Sequence, residues 1–345
     1  MSGFGGWCGN DDYDFDDNRG QKSFKSAKKK HKSPGVKKSR ATKRSKAKGS
    51  ASPDDSSQTF HDFLRVTKLP VPTATHSLKS TANNVIITVL DMTSSMGVWR
   101  DEIRKRAASL FDEAKKYLGS EDLELLFIAY GDARTDYNVV QVSQFGSDAK
   151  LDDYLASFTD CGGGGQGSET PELVAYYLAT QVDLSTAQNV YTFFITDESG
   201  CDSVNSRDVL EWLGIKKFNP EYANSRDLFN LLKRKMELYT ILCKTKNYSP
   251  SEVRSIHRWW HDIMGAERVI PLSDARRVVD SMLGTMAKLT GQLAKFSQDL
   301  KTRQLPSPHG VDNVATVMTS ISMVGKGTPS DPFTKKGAKQ VKSLI

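Results

Sequence analysis

The sequence has little of what would place it in a membrane or a disulfide framework. No apolar run approaches the ~18 residues needed to cross a bilayer, and Met1-Ser2-Gly3-Phe4-Gly5-Gly6-Trp7-Cys8 lacks the cationic start and apolar core of a signal peptide. The four cysteines, Cys8, Cys161, Cys201 and Cys243, stand far apart with no C-x-x-C pair. That spacing argues against a zinc ribbon and a stapled scaffold, and for reduced thiols. Only 12 prolines are present, without a repeat, which excludes a collagen-like chain. Together these features lead us to expect a soluble intracellular protein.

What is present is uneven. The 345 residues are 38% hydrophobic and 26% charged, with a net charge of +7. Residues 1–75 hold 16 basic and 8 acidic side chains, so all the excess basicity lies there and the remainder is close to neutral. An acidic block (Asp11, Asp12, Asp14, Asp16, Asp17) precedes residues 21–50, which carry 13 Lys or Arg, no acid and one aromatic, Phe24. Such a segment cannot bury enough apolar surface to offset the entropy of ordering, so residues 1–80 are expected to be a disordered tail. Its cations could neutralise nucleic-acid phosphates with little sequence discrimination. Lys28-Lys29-Lys30-His31-Lys32 also resembles a nuclear-import signal, so a cytoplasmic or nuclear setting is expected.

From residue 81 the pattern changes to apolar runs alternating with amphipathic stretches. Strands are predicted at Val85–Leu90, Leu123–Tyr130, Val139–Val142, Val190–Ile195, Glu237–Leu242 and Arg268–Pro271. Helices are predicted at Trp99–Leu118, Leu151–Phe158, Pro171–Gln181, Ser225–Lys235, Ser251–Gly265 and Asp274–Leu300. Continuous apolar strands separated by helices imply an α/β fold, a doubly wound and mostly parallel sheet covered on both faces. After Leu305 the composition returns to Pro, Gly, Ser, Thr and Lys, so the domain is placed at 81–304 and a flexible tail at 305–345.

Three polar clusters follow strands or open a helix: Asp91-Met92-Thr93-Ser94-Ser95-Met96, Cys161 through the four glycines 162–165 to Glu169-Thr170-Pro171, and Asp197-Glu198. In open parallel sheets, ligands bind beyond the carboxyl ends of the strands, so the three clusters are expected to form one site. Asp91, Thr93 and Ser95 alternate and can aim three hard oxygen donors at one point. Such a set suits Mg²⁺, and a divalent cation is its natural occupant.

In order and spacing these clusters resemble the metal-ion-dependent adhesion site of von Willebrand factor A domains, and the resemblance covers roughly residues 82–300. It implies that Thr93 and Ser95 hold Mg²⁺, or Mn²⁺ or Ca²⁺, while Asp91 and Asp197 act partly through water. An open position would take a carboxylate from a partner protein. Intracellular relatives often have an acid directly after the glycines, whereas Gln166-Gly167-Ser168-Glu169-Thr170 follows here. The third-loop ligand is therefore open among Ser168, Glu169 and Thr170, with Thr170 preferred. Many intracellular relatives serve as adaptors of AAA+ ATPases, which makes such an ATPase a candidate partner.

Enzyme patterns fail in specific ways. Thr93 stands where an aspartyl-phosphate phosphatase needs its second Asp, Gly162–Thr170 lacks G-K-[ST], and no G-x-S-x-G elbow occurs. His257 and His261 have a zinc-compatible i, i+4 spacing, but Arg258 stands where a zincin has Glu, so they are read as packing or solvated residues. Val279, Met286, Leu293 and Leu300 recur every seven residues, read as the last helix covering the sheet with a partner-docking seam as the alternative. We expect a non-enzymatic, metal-dependent interaction domain. The alternative is a polyanion-associated protein driven by residues 21–50, with the domain as scaffold.

Overall fold

The computed structural model describes residues 78–147, 150–162, 168–244 and 248–325. The expected acidic and Lys-rich segments, most of the glycine run and the last twenty residues lie outside the described residues.

The core is a six-stranded sheet built from β2 (Asn84–Asp91), β3 (Leu123–Tyr130), β4 (Val140–Val142), β6 (Asn189–Thr196), β7 (Glu237–Cys243) and β8 (Val269–Leu272), in the order β4-β3-β2-β6-β7-β8. Every pairing is parallel except β3 with β4. All eight residues of β2 are buried, as expected of a strand covered on both faces. Its alternation divides the core: Ile86 and Leu90 join one cluster, and Val85, Ile87 and Val89 the other. The chain winds from β2 to β3 in one direction and through β6, β7 and β8 in the other. The topology therefore reverses between β2 and β6, where the carboxyl ends of Asp91 and Thr196 lie.

Helix α1 (Gly97–Leu118) presents Trp99, Ile103, Ala107, Leu110 and Ala114 to the first face at helical spacing, and Gly119 ends it in the left-handed region at φ 67°. On the same face, α2 (Lys150–Ser157) contributes Leu151 and Leu155. The second face is covered by α3 (Pro171–Gln181), α4 (Ser206–Leu213), α5 (Ser225–Lys235) and α6 (Pro250–Met264). Helix α6 starts with a reciprocal capping box between Ser249 and Glu252, and it buries Ile256, Trp260 and Ile263 while Trp259 is only half-buried. Helix α4 was not anticipated from the sequence. It is short, capped by Asn205 and closed by Gly214, with Val209 and Leu213 as its buried pair.

Three corrections concern the domain ends. Leu78–Lys79 (β1) pairs with Val182–Asp183 (β5), and the Ser80 hydroxyl donates to Glu124 at 2.6 Å, so ordered packing begins before residue 81. The predicted helix Asp274–Leu300 is two helices, α7 (Val278–Leu289) and α8 (Leu293–Gln304), separated at Gly291 with φ 77°. The seven-residue seam is thus broken at Leu293, although Val279, Met286 and Leu300 are buried. Residues 305–325 are not a tail, because α9 (Gly310–Ser320) buries Val317 and is followed by buried Ile321 and Val324. These positions, with half-buried Val314, make an i, i+3, i+7 stripe hidden by the surrounding Ser, Thr and Gly. At Gly284 a Cβ would come within 2.7 Å of Phe296 and 2.8 Å of Ile321, so the glycine allows α7 to approach both. Among the described residues, no helix is long and apolar enough to cross a membrane.

Candidate metal centre

The first cluster lies where β2 leaves the sheet. The Asp91 carboxylate, 1% exposed, accepts from the Thr93 backbone N–H at 3.0 Å and the Thr93 hydroxyl at 2.6 Å on Oδ1. Its Oδ2 accepts from the Thr196 hydroxyl at 2.8 Å, which joins β2 to β6 across the topological reversal. Thr93 Oγ1 lies 3.2 Å from Ser95 Oγ, and Ser95 Oγ donates to Asp197 Oδ1 at 3.1 Å. Asp91, Thr93, Ser95 and Asp197 are therefore linked side chain to side chain, and Ser94–Met96 forms a 3₁₀ turn that leads directly into α1.

Thr170 is placed differently. Its buried hydroxyl donates to the Gly131 carbonyl at 2.6 Å, at the end of β3, rather than to any of the four linked side chains. It precedes α3, which has Pro171 at its first turn, although no side-chain cap bond forms. Glu169 is held in the same loop by its N–H on the Ser199 carbonyl at 2.9 Å, and Arg134 donates to the Ser168 carbonyl. Glu169 is 8% exposed, and its Oε2 has no hydrogen-bond partner among the described residues.

The loop after β3 was missed in the sequence. Gly131-Asp132 follows the strand, and buried Asp132 and Asp136 fold over it: Asp136 accepts from the Asp132 N–H at 2.8 Å, and Asp132 accepts from Arg134 Nε at 2.8 Å. A Cβ on Gly131 would meet Cys161 Cβ at 2.7 Å, so only glycine permits this crossing of loops. The available signal was a Gly-Asp pair immediately after a central strand. Thr196, which supports Asp91 directly, was also missed, because its place at the end of an apolar strand reads as part of the sheet.

The electrostatics show a shortage of positive charge. Burial, followed by repulsion from Asp197, pushes the Asp91 carboxyl up to about 7 despite its three hydrogen bonds. Burial, with the charges of Asp91, Asp136, Asp132 and Glu198, pushes Glu169 up to about 10. Among the described residues no three His, Cys, Asp or Glu side chains form a metal cluster by themselves. A site here must therefore use hydroxyls, and Thr93 and Ser95 supply them. The donor set is entirely oxygen, suited to a hard divalent cation, and the unpartnered Glu169 oxygen is compatible with added positive charge nearby.

Trp260 Nε1 donates to the Glu198 carbonyl at 2.7 Å, and the Tyr248 hydroxyl donates to the Glu198 carboxylate, fixing the loop after β6 to α6. His257 and His261 pack edge to face at 5.9 Å on α6.

No family model matches the chain, and no curated protein matches it in sequence. Solved structures with a similar arrangement include the vWF domain of the type V pili tip protein Mfa5 from Porphyromonas gingivalis, at 10% identity and TM-score 0.40, covering 61% of this chain and 96% of that one. The pilus adhesin SpaC from Lactobacillus rhamnosus GG matches at 13% identity and TM-score 0.43, over 63% of this chain and 30% of that one. Proximal thread matrix protein 1 from the mussel byssus, with a zinc-occupied MIDAS motif, matches at 10% identity and TM-score 0.38, over 62% of this chain and 47% of that one. The chain thus spans less than half of the last two. The likeness concerns fold, and the mixed α/β architecture described above rests on its own strand order.

Proposed function

We propose that this chain is a von Willebrand factor A domain protein that captures a partner protein through a divalent cation held by Asp91, Thr93, Ser95 and Asp197. The observation carrying this reading is the continuous link from Asp91 through Thr93 and Ser95 to Asp197, which joins the ends of β2 and β6 at the topological reversal. Thr93 and Ser95 present neutral oxygens, while Asp91 and Asp197 would supply two negative charges once a cation offsets the burial and mutual repulsion that favour a proton on Asp91. A bound Mg²⁺, Mn²⁺ or Ca²⁺ would supply a Lewis-acidic position that a partner's Asp or Glu carboxylate can fill. Thr196 orients Asp91, and Thr170 secures the third loop on Gly131, so Thr170 serves as a positioning residue or, through its remaining lone pairs, a ligand.

In this reading the protein is intracellular and not an enzyme, and an AAA+ ATPase is a fitting partner. The described thiols favour a non-catalytic role: burial raises Cys161 and Cys243 well above the usual range and Cys201 to about 12, leaving no ready thiolate nucleophile. A second reading rests on the 13 Lys or Arg of residues 21–50, which suit a polyanion.

The deciding experiment is calorimetric titration of Mg²⁺, Mn²⁺ and Ca²⁺ into the full chain and its Asp91→Ala variant, followed by partner capture with and without EDTA. Metal binding lost in the variant and capture lost in EDTA support the proposal. Absence of metal binding in the wild-type chain overturns it, and capture abolished instead by deleting residues 21–50 favours the polyanion reading.

A further inference from the structure

Next to Asp197, a cavity of about 520 Å³ runs across the carboxyl ends of β7 and β8 beneath α6. Asp197 forms its inner edge, Lys244 and Tyr248 belong to one rim, and Val253, Ile256 and Leu272 make much of its apolar wall. Volumes of about 300–1,000 Å³ are those of clefts that hold whole small ligands, so it has room for more than one side chain. Val253 is 37% exposed on α6, so apolar surface is open at the mouth. Among the described residues, the Lys244 ammonium makes no ion pair and Asp197 is the only acid lining the cavity.

Strand register sets the dimensions. Thr196 pairs with Leu242 and Cys243 pairs with Leu272, so Asp197 lies just beyond β6 while Leu272 is two strands away. Neighbouring strands are spaced by about 4.8 Å, which makes the cleft about 10 Å long from the Asp197 edge. An extended peptide advances about 3.3–3.6 Å per residue, and alternate side chains point to the same side. A residue two positions from one seated at Asp197 would therefore face the surface about 7 Å away, within the cleft.

We infer that this cleft receives an apolar side chain, aromatic or long aliphatic, placed two residues from the acidic residue of an extended partner segment. The inference rests on the metal reading for the seat of the acid and adds the sequence class of the partner: acid-x-apolar, in one chain direction or the other. The occupant is a peptide segment rather than a free acid, because the apolar wall begins a strand spacing beyond Asp197. Charge complementarity favours an acidic segment, since Lys244 on the rim can meet a second carboxylate. His257, also lining the cleft, is held below the usual histidine range by burial and by His261, so it adds a polar contact without a competing charge near neutrality.

The test uses the full chain and fluorescein-labelled heptapeptides with one Glu and a Phe two residues away, in both chain orders, and the same peptides with Gly replacing Phe. Anisotropy is read in Mg²⁺ and in EDTA. The expected result is that one chain order of the Phe peptide binds about tenfold or more tightly than its Gly counterpart. Val253→Gln, an uncharged change on the helix surface, should lower that ratio several-fold, and Val253→Ser serves as a second variant if melting shows Val253→Gln to be damaged. Equal binding of Phe and Gly peptides in Mg²⁺, or a Phe preference unaffected by both variants, overturns the cleft assignment. A Phe preference lowered in Val253→Gln but equal in Mg²⁺ and EDTA supports the cleft and overturns the metal reading.

Discussion

Replacing Asp91 with Asn should have opposite consequences with and without metal. In the folded chain without metal, burial and Asp197 raise the Asp91 carboxyl from its ordinary 3.8 to about 7. Between those values the folded state keeps a proton that the unfolded chain releases, so stability falls as pH rises through that window and stays low above it. At about 1.4 kcal/mol per pH unit, the loss is on the order of 4 kcal/mol by pH 8. Asp91→Asn removes this loss, but its amide replaces an acceptor facing Thr93 or Thr196, which costs about 1–3 kcal/mol. The variant should therefore melt above wild type in EDTA at pH 8, by a few degrees, since ~1 kcal/mol moves a domain of this size by about 2–4 °C. Adding Mg²⁺ to about 100 times its dissociation constant should stabilise wild type by about 2.7 kcal/mol and the variant hardly at all, cancelling or reversing the order. Scanning calorimetry of both proteins, with and without Mg²⁺, tests this directly. A variant that melts well below wild type in EDTA refutes the burial argument, and equal Mg²⁺ shifts in the two proteins refute Asp91 as a metal residue.

Glu172, buried at the start of α3, is pushed up to about 8 by burial against the opposing hydrogen bond from the Cys201 N–H. Wild-type stability should decline as pH rises from about 4.5 to about 8, and Glu172→Gln should flatten that decline in urea unfolding across the window. Asp280, with no exposed side-chain surface, pairs with Arg106 at 2.8 Å and Arg277 at 3.1 Å, so Asp280→Asn should cost about 3–5 kcal/mol in chemical denaturation by leaving buried guanidinium charge uncompensated. Phe296→Ala should cost about 3–5 kcal/mol, and a chain ending at Gln304 should lose comparable stability because α9 no longer covers α7 and α8. A truncated chain with unchanged denaturation would contradict the packing of Val317 and Ile321.

The sheet was legible because its strands lie between two helical layers, where most residues must be apolar. Val85–Leu90, Leu123–Tyr130 and Val190–Ile195 carry that signal in short runs interrupted by Thr88, Glu124 and Thr192, and each observed strand extends them by at most one residue at either end. Helix α9 was not legible for the opposite reason. It covers other helices with a sparse stripe of Val314, Val317 and Ile321, and its remaining positions could be Ser, Thr, Asp or Asn. The division at Gly291 escaped because a seven-residue recurrence cannot distinguish one straight helix from two that bury the same kind of residue against the sheet.

The candidate site was partly legible by the same logic. Asp91, Thr93 and Ser95 are polar residues where an apolar strand must end, and Asp197 repeats that contrast after β6. Their proximity comes from topology, since residues 102 apart meet at Ser95 and Asp197 because β2 and β6 are neighbours. Thr196 and the Gly131-Asp132 loop are polar too, but their work is to hold other donors in position, and that role becomes visible only when strand order is known. Thr170 shows the limit of matching residues by type. A hydroxyl at the expected place in the chain has its proton directed to Gly131, so its part in holding a cation depends on lone pairs that sequence spacing does not orient. The comparison that separates the roles is metal affinity in Thr170→Val against Thr93→Val. Loss in both makes Thr170 a ligand, whereas loss in Thr93→Val alone leaves Thr170 as the fastening of the third loop.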